Sequence, residues 1–509
     1  MTEYLISSEH LGDPAAGIIP RRPILTDVGG ETAKRLLRDW LSYCRRSHRQ
    51  APDGDIFPLP TRLLDLGMGP NTRTRLRFTR GESGIYCALS YCWGGERQPT
   101  TTKANLIARM AGLETSGLPA TIHDAIVVAR SLGFRYLWVD ALCIVQDDPA
   151  DKKAEIKAMG SIYYGAALTI SASSSIAVSK GFLHPRSEPI SIRLPFSLSK
   201  DLTGTIGLVA NPMGHIEAEP LQQRGWALQE HVLARRLVIF CTHEVLFRCC
   251  HGLEPIQKSN IDYTGLEHLL PFTYSSHTSE RMRQYIRRNY WQDIVRNYSL
   301  RKFSEPEDRV NALVGVATEL SKPWDDVYLM GLWRDYFIHH LAWHVWKSAD
   351  YRTRSNNLPT WTWLSVNAGT TITSMIQRPD AQLAQDGGWR RRNAPLYTLD
   401  DLAADSGNRA VTLRIRTMSA SSYFRAAREG IFTHTKIILD YSDSETIPSD
   451  ASLALLGWYK DTMWFGILLI RSLEADGTKM ERIGYVESSR STAHRNIWDD
   501  IPRITLTLV

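Results

Sequence analysis

The chain has 509 residues, of which 43% are hydrophobic and 22% charged, with a formal net charge of +6. These proportions belong to an ordinary globular protein and exclude a disordered one, and so small a charge on so long a chain does not by itself imply nucleic acid. At roughly 150 residues per domain the length predicts two to four domains.

Residues 1–55 read as a helical N-terminal extension, with Leu36, Leu37, Trp40 and Leu41 on one helical face. Pro58–Leu66 leads into a strand, and Gly67–Asn71 supplies a turn. The run Arg73–Arg80 is dense in arginine and reads as a solvated face, as does Arg390–Arg392. Ile85–Cys92 is a mostly apolar strand emptying into Trp93-Gly94-Gly95. Pro119 and Thr121 open a helix carrying Ile122, Ala125, Ile126 and Ala129. Tyr136–Ile144 reads as a second buried strand, Asp147–Asp151 as the start of a helix, and Ala166–Ala172 as a third strand. This alternation predicts right-handed crossovers and a parallel sheet with helices on both faces.

Beyond Gly181 the rhythm changes. Leu237–Phe240 and Val245–Arg248 form an expected hairpin, and Tyr263–Ser279 an expected loop. Arg281–Trp346 reads as helical, Gln377–Pro395 as an excursion broken by Gly387-Gly388, and the remainder as a β-rich lobe. Met1–Glu9 is polar, unlike a secretory signal, and apolar runs such as Phe465–Ile470 fall far short of the roughly 20 residues that cross a bilayer. Seven cysteines without a paired framework fit a reducing compartment. A cytoplasmic protein without a membrane span is expected.

Four separated stretches resemble the HET domain of fungal heterokaryon-incompatibility proteins. They are Tyr86–Gly94; Leu118–Ile122 with Arg135–Asp148; Glu155–Ala172 with Gly181-Phe182 and Arg186; and Arg224–Glu230 with Leu233, Arg235 and Cys249. Order and spacing agree with the family over roughly residues 56–250. Position 92 is Cys where the family more often has a β-branched residue, and Lys152 replaces a frequent aromatic. The organisation this implies is an extension (1–55), the HET domain (56–255), a helical region (256–376) and the β-rich lobe (377–509).

The resemblance implies a TIR-like, flavodoxin-like α/β sheet and an effector that triggers programmed cell death in self/non-self recognition, through self-association or a protein partner. Some TIR domains cleave NAD at the ribosyl bond with a glutamate, so a second implication is an enzyme taking NAD or a related nucleotide as substrate. A third is a family member recruited to small-molecule biosynthesis. Ribosyl cleavage needs a carboxylate beside an oxocarbenium-like centre, at the carboxyl ends of the strands. Glu155, Asp140 and Glu230 are the catalytic candidates, with Glu155 preferred by the order of elements. Ser90, Tyr91, Trp93, Gly94, Trp138, Arg224, Trp226 and Gln229 are the substrate-binding candidates.

Each has a plainer reading. Glu155 can pair with Lys152 or Lys153 on its own helix, and Asp140 with Arg224 as a buried pin. The three tryptophans can be core, and Gly94-Gly95 lacks the pattern of a phosphate loop. Cys241, His243, Cys249, Cys250 and His251 do not have a recognised zinc spacing. His340 and His344 lie four apart on the expected helix without the glutamate of a metalloprotease motif, and Cys143 reads as an inert buried thiol.

Overall fold

Eight short segments between residues 62 and 255 pair into one mixed sheet. They are β1 (Arg62–Asp65), β2 (Arg75–Phe78), β3 (Cys87–Ser90), β4 (Tyr136–Trp138), β5 (Leu168–Ser171), β6 (Leu237–Phe240), β7 (Val245–Cys249) and β8 (Gly252–Pro255). The structure is a computed structural model. It describes residues 4–509 apart from 48–54, 211–215, 256–279, 348–354, 384–395, 398–410, 441–446, 491–496 and some shorter stretches. The expected loop Tyr263–Ser279, the run Arg390–Arg392, Gly387-Gly388, and Cys250 with His251 lie outside the described residues.

Across the sheet the order is β8-β7-β6-β5-β3-β4-β1-β2. The four central strands β6, β5, β3 and β4 are parallel. β3, β5 and β6 are buried at every residue, as strands covered on both faces must be. Antiparallel strands extend the sheet at both edges, so it is mixed rather than wholly parallel. The hairpin Leu237–Arg248 is present as β6 and β7.

Among the described residues, six α-helices accompany this sheet: α1 (Glu31–Ser47), α2 (Leu106–Ala111), α3 (Ala120–Ser131), α4 (Asp140–Cys143), α5 (Pro149–Gly165) and α6 (Gly225–Leu233). The chain steps from β3 outward to β4, then returns across β3 to β5. Right-handed crossovers in opposite directions place α3 and α5 on opposite faces. α1 packs on α3, and α5 on α6. α5 begins where the side chain of Asp148 accepts from the N–H groups of Ala150 and Asp151, with Pro149 in its first turn.

Two expectations change in this unit. Tyr136–Ile144 is not one strand: the extended run stops at Trp138, and the N–H groups of Cys143 and Ile144 turn back to the carbonyls of Val139 and Asp140. Asp140 therefore opens a helical turn, its carboxylate accepting from the N–H of Ala141 at 2.6 Å. The N-terminal extension is also not purely helical. Tyr4–Ser8 pairs with Thr203–Ala210, which pairs with Ser191–Ser197.

The chain divides into two units, Met1–Thr273 and Tyr274–Val509. In the second, α7 (Glu280–Tyr298) and α8 (Asp308–Trp324) form the helical part. The expected helix does not run on to Trp346. Asp325 and Met330 have φ of 47° and 46° and Gly331 has φ 95°, so the chain turns into a hairpin, Tyr328–Leu329 against Leu332–Trp333. A further strand covers Trp343–Lys347. His340 and His344 accordingly do not share a helix, since His340 ends a short one (α9, Phe337–His340) and His344 lies in that strand. Indole N–H groups of Trp291 and Trp363 both donate to the carbonyl of Gly331, at 2.9 and 2.8 Å, centring an aromatic core on this turn.

The β-rich lobe is a closed circuit. Val411–Ser419 pairs with Ala451–Tyr459, that with Trp464–Ser472, that with Lys479–Arg490, that with Arg503–Leu508, and the last again with Val411–Ser419. Closure removes free edges from these five strands. Arg482, fully buried, donates to Asp440 at 2.7 and 3.1 Å and to the carbonyls of Leu341 and Trp343. Every guanidinium nitrogen thus has a partner, which such burial of a charge requires.

Candidate functional site

Strand order dictates where a site can form. Where crossovers leave neighbouring parallel strands in opposite directions, the helices separate and a crevice opens at the strands' carboxyl ends. Here those neighbours are β3 and β5, and their last residues, Ser90 and Ser171, are register partners. Helix α6 lies against this point. Ser90 Oγ donates to Glu230 Oε2, and Ser171 Oγ is 2.9 Å from His231 Nε2. Gln222 Nε2 meets His231 Nδ1 at 2.8 Å and Ser173 Oγ at 3.4 Å.

A second group surrounds Asp140, just past the end of β4. Its carboxylate accepts from Trp93 Nε1 at 2.9 Å as well as from Ala141. Burial raises the pKa of Asp140, opposed by hydrogen bonds from Ala141 and Trp93 and by the charge of Arg224. Tyr91 carries the chain out of β3. Its hydroxyl donates to Gln98 at 3.0 Å, and its carbonyl accepts from Arg224 at 2.7 Å. Arg224 stands at the N-cap of α6. Burial, then the negative charge of Asp140, pushes the Tyr91 hydroxyl well above its ordinary range. The two groups meet around buried Tyr163, whose hydroxyl donates to Leu89 O at 3.0 Å. Its pKa is raised by burial and then by Glu230, Asp140 and Tyr91.

The glycine of Trp93-Gly94-Gly95 has a steric explanation. Gly94 has φ 79°, and a Cβ on it would lie 2.3 Å from Ala177 Cβ and 2.6 Å from Ala177 Cα. The loop leaving β3 can pass Ala177 only without a side chain.

Of the candidates, Ser90, Tyr91, Trp93, Gly94, Asp140, Arg224 and Glu230 lie together at the carboxyl ends of the strands. Trp226 is half-buried and Gln229 buried, both on α6. Trp138 is fully buried, its ring edge-on to Tyr163 at 5.5 Å, and packs as core. Glu155 belongs elsewhere. It is buried, with Oε1 3.7 Å from Arg62 and Oε2 without a hydrogen-bond partner among the described residues. Arg62 itself is held by Asp151 at 2.7 Å and by Cys143 O at 2.6 Å. Burial raises the pKa of Glu155 against a hydrogen bond from Thr61 and the charge of Arg62. The expected pairing with Lys152 or Lys153 gives way to this buried arginine, because the glutamate faces inward from α5.

Ser171, Gln222 and His231 were not singled out from the sequence. His231 follows Glu230 directly, and Ser171 ends the third parallel strand, so both signals were local. Their convergence needed the strand register. Cys143 is buried, and burial pushes its thiol up to about 12. Among the described residues no three His, Cys, Asp or Glu side chains are grouped to hold a metal ion, and no helix is long and apolar enough to cross a membrane.

Fold and site together define an α/β domain with a largely buried polar cluster at the carboxyl ends of its parallel strands. Residues 86–230 match the family model described as Heterokaryon incompatibility protein (HET). Searches of curated proteins and of solved structures give no match.

Proposed function

We propose that this protein is a heterokaryon-incompatibility-type effector, in which the HET domain triggers programmed cell death in a self/non-self response. One observation carries the reading. The family match begins at Tyr86, just before β3, and ends at Glu230, the carboxylate hydrogen-bonded to the last residue of β3. The matched segment thus contains most of the polar cluster at the strand ends. Induced expression in a yeast host, followed as loss of viability, tests it. Unaffected growth at confirmed expression sinks the reading.

A second reading concerns the chemistry: the crevice cleaves NAD or a related nucleotide at the ribosyl bond, in a TIR-like manner. Supporting it, the parallel strands run second-first-third-fourth across the sheet, the order of flavodoxin-like folds. Asp140 and Glu230 then supply the negative charge that stabilises an oxocarbenium-like centre, Trp93 and Tyr91 offer aromatic faces, and Arg224 at the start of α6 takes phosphate oxygens. Asp140, with its raised pKa, is suited to hold or pass a proton. Glu155 has no part in this scheme. Purified full-length protein is incubated with NAD and nicotinamide release followed. Release should vanish in Glu230→Gln and fall in Asp140→Asn, while Glu155→Gln retains it. Absence of release, with the oligomeric state measured by light scattering, leaves the effector to act by self-association or by docking on a protein partner.

A further inference from the structure

The crevice makes no use of the most strongly charged feature of the first unit, the arginine run 73–80. It lies on β2, an edge strand, and on the turn that follows. A cavity of about 430 Å³ opens there, lined by Arg75, Arg77, Arg80 and Glu82 over the apolar side chains of Phe78 and Met110. That volume lies within the roughly 300–1,000 Å³ typical of small-molecule sites.

The three arginines differ in what already holds them. Arg77 donates to both oxygens of Glu82, at 2.9 and 2.8 Å, and to the hydroxyl of Tyr136. Arg75 reaches Asp65 only at 3.6 Å, and that carboxylate is already bound by Arg135 at 2.9 and 3.0 Å. Its side chain is 54% exposed. Arg80 is exposed and has no hydrogen bond or ion pair among the described residues.

Arg80 also sits where an arginine is conformationally unfavourable. It has φ 52° and Gly81 φ 78°, within a turn closed by the N–H of Glu82 on Thr79 O at 3.0 Å. Such turns favour Asn, Asp or Gly at the first of these positions. The strained backbone aims a guanidinium at a cavity whose cations outnumber its carboxylate three to one. Planar guanidinium forks match phosphate oxygens, and Phe78 and Met110 leave an apolar floor beside them.

We propose that this pocket binds a small molecule bearing an oligophosphate chain, with Arg75 and Arg80 donating to its phosphate oxygens. The site is separate from the strand-end crevice and does not depend on what that crevice does.

Inorganic triphosphate and ATP are titrated separately into the full-length protein by calorimetry, at low and at raised salt. Both should bind, compete with each other and weaken as salt rises. Tighter binding of ATP assigns the ligand to nucleoside oligophosphates, and equal binding assigns it to the phosphate chain alone. Each lost charge-assisted contact costs about tenfold in affinity, so Arg75→Ala/Arg80→Ala should weaken triphosphate binding about a hundredfold. Arg35→Ala/Arg38→Ala, which removes the same charge from exposed positions on α1, should leave it unchanged. Unfolding midpoints in phosphate-free buffer confirm that both double variants are folded. Failure of triphosphate to bind at low salt, or equal weakening in the two double variants, overturns the proposal.

Discussion

Replacing Asp326 by asparagine probes a carboxyl that the second unit buries at a cost. Asp326 is 4% exposed and lies between the end of α8 and the strand Tyr328–Leu329. Its side chain accepts from the N–H of Val327 at 2.7 Å and of Asp335 at 3.3 Å. Burial, then the charge of Asp335, raises its pKa from 3.8 to about 6, against the two N–H donors and Arg334. A raised carboxyl means that the folded state holds its proton more tightly than the unfolded state. Stability is therefore greatest below the unfolded pKa near 3.8 and falls as pH rises towards 6. A shift of about two units corresponds to roughly 3 kcal/mol once both states are ionised. Asparagine keeps an acceptor for the same N–H groups and carries no charge. At pH 7.5 Asp326→Asn should stabilise the second unit by about 1–3 kcal/mol, or several degrees in its unfolding midpoint, and at pH 4 by almost nothing. Scanning calorimetry across this range, resolving the transition of the second unit, measures the difference. A midpoint shift that is the same at pH 4 and pH 7.5 refutes the reasoning, since the gain must come from removing an ionised carboxylate.

Gly94→Ala should destabilise the first unit by about 2–4 kcal/mol, combining a left-handed backbone position with overlap onto Ala177; denaturant unfolding followed by tryptophan fluorescence reads it. Arg482→Met strands the Asp440 carboxylate and should cost about 3–5 kcal/mol, with partial recovery in Arg482→Met/Asp440→Asn, visible as the calorimetric midpoint of the second unit. Glu155→Gln keeps the buried shape while removing a carboxylate whose pKa burial raises. Its stability at pH 7 should equal or slightly exceed the parent's, and a loss above about 2 kcal/mol would show that the charge facing Arg62 is needed.

Strand and helix identities were legible wherever one local signal dominated. The mostly apolar runs around β3 and β5, the helix start at Asp148-Pro149, and the hairpin at Leu237–Arg248 all came from residues next to one another in the chain. Legibility failed where a local pattern was ambiguous. Apart from Asp140, apolar residues continue past Trp138 to Ile144, and local pattern does not distinguish a strand from the helical turn in which Asp140 accepts from the N–H of Ala141. In the second unit Tyr328–Trp333 carries the same aromatic richness as the helices before it, but Met330 and Gly331 turn it into a hairpin.

The sequence by itself determined the HET-type segments, the alternating α/β order and which polar residues fall near strand ends, because each depends on neighbours within a few turns of chain. Only the tertiary structure decided which carboxylates share the crevice. Glu155 and Asp140 belong to consecutive helices, yet α5 turns Glu155 inward to Arg62, while α6, some 70 residues later, brings Glu230 to Ser90. That pairing follows from the return of the chain across β3, a crossover that leaves no mark in local sequence. Its physical cause is packing: the inner strands must be covered on both faces, and the crossovers from β3 to β4 and from β4 back past β3 to β5 satisfy that by running in opposite directions.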